Sequence, residues 1–385
     1  LPVLPEGRIG IYVGSHTHFS EKQNRAIDRF CATYDAVVIC DHTSGYYGKY
    51  KLLPTLVQLQ SDITSPFPPL DLMVHIGEIS AASFNDTIPA KEVWRVSEDG
   101  ELRDPFKKLT TVFQMSEEMF FLHYGKDGCN RHVLIDECRE LFGEIYEQIP
   151  ELPFCNIWTA MQLSSRLPKG ALFHMGVSNT RRCWNMFQLP ESVESACNVG
   201  CCGIDGCVST LVGASLVNPD RLCYVVVGDL TFFYDLNSLG NHHIGTNLRV
   251  MLVNNGRGTE FRLGIHHCNV FGDDADKYMA AAGHFGNKSP LLVKHYAEDL
   301  GFHYLSATTK EEFMTALSNF TNPQLSDHSM ILEVFTDSKD ESEALYLMSH
   351  IQSDAKGMVR SKLKDAVRNV AGEKGINAIK KILKK

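Results

Sequence analysis

What the sequence lacks narrows its class first. No apolar run reaches the roughly 18 residues that a membrane-spanning helix needs; the longest, at 222–227, has the length of a buried strand. No secretory signal opens the chain. It begins at Leu1 rather than Met, which leaves open a processed product or a part of a longer polypeptide. The twelve cysteines form neither a disulfide framework nor paired CxxC knuckles for zinc. The closest pair, Cys201-Cys202, is vicinal and could bridge only with strain. Reduced thiols in a cytoplasmic protein are therefore expected. Positive charge is also in short supply. A net charge of −9 argues against general nucleic-acid binding. There are no internal repeats or low-complexity tracts, and no GxGxxG follows the first apolar strand, so a dinucleotide site is not indicated.

What is present is the pattern of an α/β protein. A length of 385 residues makes two domains the expectation, and 44% hydrophobic with 22% charged residues is a globular composition. Over 1–150, apolar strands at 9–13, 36–40, 70–76, 93–96 and 110–113 alternate with helical spacing at 21–34 and 52–59. That alternation predicts a parallel sheet covered on both faces, a Rossmann-like domain. A connecting helix at 135–149 runs into Pro150 and Pro153, a plausible boundary. The alternation resumes over 151–340, with strands at 171–175, 222–227, 248–253, 304–307 and 330–335. Helical spacing lies between them at 206–217, 232–239, 275–282, 291–300 and 311–320. The expected fold is thus two doubly wound, mainly parallel-sheet α/β domains, followed by a basic helical tail at 341–385. Residues 356–385 hold ten Lys/Arg against Asp365 and Glu373, which leaves about −17 on the rest. Val359, Leu363, Val367 and Val370 form an apolar stripe there, suited to a membrane surface, an acidic partner or the protein's own acidic surface.

The chemistry concentrates at two strand ends. Gly228-Asp229-Leu230-Thr231 closes the strand at 222–227, and ligands of open α/β sheets bind at the carboxyl ends of strands. A helix expected to start near Thr231 would offer unpaired N–H groups to an anion. A diphosphate there needs a hard cation with oxygen ligands, as Mg²⁺ prefers. The next strand ends at Asn254-Asn255-Gly256-Arg257-Gly258, and parallel neighbours bring Asp229 and Asn255 together across 26 positions. Gly256 and Gly258 are expected to turn the backbone sharply and expose a carbonyl to the metal.

At this spacing the two loops resemble the signature of thiamine-diphosphate-dependent enzymes, Gly-Asp-Gly followed by Asn-Asn, with Leu230 in place of the last glycine. The block Gly228-Asp229-Leu230-Thr231-Phe232-Phe233-Tyr234-Asp235 looks like the version in the menaquinone-pathway 2-succinyl-5-enolpyruvyl-6-hydroxy-3-cyclohexene-1-carboxylate synthases. Gly203-Ile204-Asp205-Gly206-Cys207-Val208-Ser209-Thr210 resembles a second run of that family, and Gly176, Ser178 and Arg182 resemble a third. The resemblance covers 155–335 well and 1–150 loosely, as the family's middle domain. It implies Mg²⁺ held by Asp229, Asn255 and the Arg257 carbonyl. It implies thiamine diphosphate bound by Gly203, Ile204, Asp205, Gly228, Leu230, Thr231 and Phe261. Leu230 and Thr231 would donate to the diphosphate, Ile204 would press the two cofactor rings together and Phe261 would line the pocket. It assigns substrate contacts to Ser178 and Arg182, because arginine grips carboxylates with two prongs.

The same resemblance marks departures. Val199 stands where the family carries an arginine, and Glu260 where it carries an aliphatic residue. Glu260 either disfavours an anionic substrate group or faces solvent. The family's catalytic Glu belongs to a pyrimidine-binding domain that has no counterpart among these segments, so a partner subunit or a longer chain would have to supply it. A homodimer or tetramer with a shared site is implied. The expected reaction is decarboxylation of a 2-oxo acid with carboligation. The rivals are a non-catalytic thiamine-fold subunit and, more remotely, a flavodoxin-like phosphate-binding module. His242-His243 and His266-His267 lack diagnostic metal spacing and read as surface or loop residues, with a substrate contact the outside reading for the second pair. Asp273, Asp274 and Asp276 read as a cap for the following helix.

Overall fold

The structure, a computed structural model, describes residues 1–63, 67–78, 88–200, 202–263, 266–278 and 289–353. The apolar stripe expected on the basic tail lies outside them.

Two six-stranded sheets, each wholly parallel, carry the chain. The first contains β1 (Ile9–Val13), β2 (Val37–Cys40), β3 (Lys51–Leu52), β4 (Leu70–Ile76), β5 (Ala90–Ser97) and β6 (Leu109–Gln114), in the order β3-β2-β1-β4-β5-β6. The second contains β7 (Leu172–Met175), β8 (Glu194–Cys197), β9 (Cys223–Gly228), β10 (Leu248–Asn254), β11 (His303–Ala307) and β12 (Met330–Phe335), in the order β11-β12-β10-β9-β7-β8. The α/β fold expected from the alternation is what forms. The central strands β1, β2 and β10 are buried at every position, as sheets covered on both faces require.

Local chemistry explains the element ends. Helix Glu21–Tyr34 opens with a capping box between Ser20 and Gln23 and buries Ile27, Phe30 and Cys31 on one face. It ends where Asp35 takes the left-handed conformation at φ 54°. The helix expected at 52–59 is shorter than its pattern: Lys51–Leu52 pairs as an edge strand, and Pro54 delays the helix to Thr55–Leu59.

In the first sheet the strand order reverses between β1 and β4, where doubly wound folds often hold nucleotides. Here backbone crosses that crevice: Ser15 and Glu78 exchange both amide hydrogen bonds at 2.8 Å. A Cβ on Gly14 would lie 2.0 Å from the Glu78 carbonyl.

The halves are tied by polar contacts at the carboxyl end of β2. Asn185 Oδ1 accepts from the His42 amide at 3.0 Å, and its Nδ2 donates to Asp41 Oδ2 at 3.3 Å. Ser195 Oγ donates to the His42 carbonyl at 2.7 Å. Helix Ser338–Ser349 returns to the first half, where Gln60 Nε2 donates to the Met348 carbonyl at 2.8 Å. No helix among the described residues is long and apolar enough to cross a membrane.

Candidate functional site

β9 and β10 set the frame. Their register pairs Val253 with Gly228, so Asp229 and the Asn254-Asn255 turn leave adjacent strands at the same level. Neighbouring strands lie about 4.8 Å apart, within the span of one coordination sphere and its ligands.

Asp229 is buried, and helix Asp229–Tyr234 starts at this residue, earlier than the apolar spacing suggested. Asp229 Oδ1 accepts the Leu230 amide at 2.8 Å. Thr231 is buried in the same turn. The helix ends at Asp235, whose Oδ2 accepts from Ser209 N at 2.7 Å and Ser209 Oγ at 3.0 Å. Asp235 thereby moors helix Cys207–Val217, and the loop in front of it, beside the Asp229 turn.

That loop carries Gly203, Ile204 and Asp205. Gly206 closes it at φ 88°, and Asn198 Nδ2 donates to the Gly206 carbonyl at 3.1 Å. A Cβ at Gly203 would stand 2.6 Å from Asp205 Oδ1. Ile204 is half-buried and belongs to neither hydrophobic cluster among the described residues, so core packing does not account for it.

The two asparagines at the end of β10 have opposite fates. Asn254 Nδ2 donates to Glu333 Oε1 at 2.7 Å, its Oδ1 accepts from Gly256 N at 3.3 Å, and its carbonyl accepts from Thr336 N at 3.1 Å. Glu333 also accepts from the Tyr304 hydroxyl at 2.7 Å; burial raises its pKa while both hydrogen bonds oppose the rise. Asn255 Oδ1 is buried with no hydrogen-bond partner. An amide oxygen orphaned in that way costs free energy unless something else takes its lone pairs. A hard cation is one such acceptor of electron density, so the residues present fit the Mg²⁺ that the motif implies.

Of the two glycines expected to bend this turn, only Gly256 does so in the left-handed region, at φ 79°. Gly258, at φ −73° and ψ 79°, centres an inverse γ-turn in which Thr259 N donates to the Arg257 carbonyl at 3.0 Å. The carbonyl assigned to the metal thus already accepts one hydrogen bond. Thr259 Oγ1 is a second buried oxygen without a partner in the same loop. Phe261 packs edge-on against His266, with ring centroids 5.1 Å apart.

Ser178 is exposed after β7 and holds φ 62°, ψ −123°, a strained conformation for a residue with a side chain. Arg182, in the helix that follows, does not present an open guanidinium. Its Nη2 and Nη1 meet Glu260 Oε1 and Oε2 at 2.7 and 2.9 Å, and each side chain is 19% exposed. Glu260 therefore faces Arg182 rather than solvent.

Sequence reasoning missed several supports of the turn. Glu341 is one: its Oε1 accepts from Asn156 N and Thr336 Oγ1, each at 2.9 Å, and burial pushes its pKa up to about 7. Glu333 had a signal, a carboxylate inside the apolar strand Met330–Phe335. Glu341 had none. Of the histidine pairs, His242 and His243 sit with ring centroids 3.8 Å apart and planes tilted by 42°, and His266 Nδ1 accepts from Cys268 N at 3.1 Å. Asp274 pairs with Lys277 at 2.6 Å. A cavity of ≈ 1000 Å³ lies elsewhere, over the carboxyl ends of β1, β4 and β5; Val199 and Gly200 form its border with the second half.

No protein-family profile matches the chain. Curated proteins do. One from Bacteroides fragilis, named 2-succinyl-5-enolpyruvyl-6-hydroxy-3-cyclohexene-1-carboxylate synthase, is 33% identical over 263 residues, which is 67% of this chain and 45% of that protein. One of the same name from Phocaeicola vulgatus is 32% identical over 265 residues, 67% of this chain and 44% of that protein. A third, from Christiangramia forsetii, is 33% identical over 199 residues, 52% of this chain and 33% of that protein. The resemblance read from the three motif blocks is thus found across two thirds of the chain. The chain spans less than half the length of these relatives.

Proposed function

We propose that this chain is the diphosphate- and metal-binding part of a thiamine-diphosphate- and Mg²⁺-dependent enzyme that decarboxylates a 2-oxo acid and joins the product to an acceptor. One observation carries the reading: the buried, unpartnered Oδ1 of Asn255 lies just past the end of β10, the neighbour of β9, just past whose end the buried Asp229 lies. Asp229, Asn255 and the Arg257 carbonyl would hold the metal, and Thr231 and the 203–205 loop would flank the cofactor. Thiamine diphosphate, when bound, supplies the electron sink for decarboxylation. The chain's own part is to fix the diphosphate end, to support the rings with Ile204 and to keep water from the Asp229 turn by burial. A pyrimidine-binding domain, from a partner or a longer chain, would complete the site.

A second reading, a non-catalytic subunit of the same fold, draws support from two features. Arg182 is engaged by Glu260, and Val199 offers no charge to a substrate. Carbon dioxide release decides between them. The protein, supplied with a pyrimidine-binding partner, thiamine diphosphate, Mg²⁺ and a series of 2-oxo acids, is expected to release CO₂, and Asp229→Ala to abolish it. No release from any 2-oxo acid, with cofactor binding intact, would favour the non-catalytic subunit.

A further inference from the structure

Helix Ser338–Ser349 is held at both ends by buried side chains, and the two anchors lie in different halves of the molecule. At its carboxyl end the anchor is Gln60. Gln60 Nε2 donates to the Leu56 carbonyl at 3.0 Å and to the Met348 carbonyl at 2.8 Å. Its Oε1 accepts from Ile351 N at 3.0 Å and from Gln352 N at 3.1 Å. Both donors and both lone pairs of the amide are thereby used. Beside it, Ser61 N donates to the Ser349 carbonyl at 2.8 Å. The last carbonyls of a helix have no partner within it, and here two of them are tied to the first half.

At the amino end the anchor is Glu341, in the first turn of the helix. Its Oε1 accepts from Asn156 N and from Thr336 Oγ1. Thr336 N donates in turn to the Asn254 carbonyl at 3.1 Å, so the helix reaches the turn that carries Asn255 through a single residue. The helix also packs against 259–262. The turn's own amides bond only locally: Gly256 N to Asn254 Oδ1 at 3.3 Å, Thr259 N to the Arg257 carbonyl at 3.0 Å and Phe261 N to the Gly258 carbonyl at 3.2 Å. Such bonds shape a loop without fixing where it stands over the sheet edge. That position depends on what reaches it from outside, namely Glu333, Thr336 and Arg182.

We propose that helix Ser338–Ser349 is a strap by which the first half holds the Asn255 turn in place, with Gln60 clamping one end and Glu341 hooking the other. Gln60 is then a positioning residue that acts on the turn through the helix. Freeing the clamped end lets the helix rock, and the hooked end loosens with it. The inference rests on the functional reading only where it calls the turn a cation site.

Hydrogen exchange of the full chain without any ligand, read by mass spectrometry on peptides from 254–263, 338–353, β1 and β9, tests the strap. Gln60→Ala should speed exchange by about fivefold or more in both 338–353 and 254–263, as loss of buried hydrogen bonds does, and leave β1 and β9 as protected as in wild type. Glu341→Ala should loosen 254–263, and Glu341→Gln, which keeps the accepting oxygen, should restore it. Should Gln60→Ala fail to fold, Ser61→Pro decides in the same way. It removes only the bond to the Ser349 carbonyl, at an exposed residue whose predecessor, at φ −58° and ψ 118°, already suits a following proline. Loosening of 338–353 with 254–263 unchanged would overturn the strap, and so would an equal rise in all four peptides. With Mg²⁺ and a pyrimidine-binding partner, Gln60→Ala should weaken thiamine diphosphate binding by a similar factor, because less of the protein holds the turn ready. Wild-type affinity despite a loosened turn would also overturn the proposal. No Mg²⁺-dependent binding by the wild type would sink the cofactor reading, and the exchange comparison would still decide the strap.

Discussion

Asn254 donates its side-chain amide to Glu333 at 2.7 Å, and this bond fixes the turn from which the next residue, Asn255, points its unpartnered oxygen. The two adjacent asparagines should therefore give opposite phenotypes. Asn254→Ala leaves the buried Glu333 carboxylate short of a donor and should destabilise the protein by about 2 kcal/mol in urea unfolding. Asn255→Ala removes an oxygen that no protein group satisfies and should leave stability within about 0.5 kcal/mol of wild type. Equal destabilisation by both would mean that Asn255 has a structural partner.

Glu341 makes stability depend on pH in an unusual direction. Its folded pKa of about 7 lies above the ordinary glutamate value because burial disfavours the charged form. The folded state therefore holds the proton more tightly, and the stability so gained is full below about pH 4.5 and is lost as pH rises through 7. Glu341→Gln keeps an oxygen for Asn156 N and Thr336 Oγ1 without the titration. The variant should gain stability relative to wild type between pH 5 and pH 8, by up to the order of 3 kcal/mol. A wild-type-to-variant difference that stays flat across that range would contradict the assignment.

Ser178 adopts a backbone conformation that glycine reaches at little cost. Ser178→Gly should stabilise the protein by about 1 kcal/mol in thermal or urea unfolding. Loss of stability in this variant would show that the serine side chain contributes more than its backbone strain takes away.

Arg182 and Glu260 form a partly buried, two-pronged pair, so removing one member should leave the other uncompensated. Glu260→Ala should cost about 2 kcal/mol, and the double variant Arg182→Met/Glu260→Leu less than the sum of the single changes. Additive costs would mean that the two residues do not interact in solution.

Much of the fold was legible because it rests on local chemistry. The Ser20–Gln23 box and the spacing of Ile27, Phe30 and Cys31 delimit the first helix. Apolar runs bounded by glycine and asparagine mark β9 and β10. Two of the four edge strands were not legible: Lys51–Leu52 is two residues long, and Glu194–Cys197 alternates weakly with polar residues. At the proposed site, the Gly-Asp and Asn-Asn loops stand out because a carboxylate and an amide oxygen at neighbouring strand ends suit a hard cation. The groups that hold them in place do not. Asp235 reaches back 26 positions to Ser209, Glu260 reaches 78 to Arg182, and Glu341 reaches 185 to Asn156. Such pairings follow from the assembled sheet edge and leave no periodic trace in the chain.

The central claim is that Asp229 and Asn255 share one divalent cation under a diphosphate. Calorimetry with thiamine diphosphate, with and without Mg²⁺, on the protein reconstituted with a pyrimidine-binding partner tests it most directly. The account predicts binding that requires Mg²⁺ and is lost in both Asp229→Ala and Asn255→Ala, although the Asn255 variant remains as stable as wild type. Binding that persists in Asn255→Ala at wild-type affinity, or that is indifferent to Mg²⁺, would contradict it.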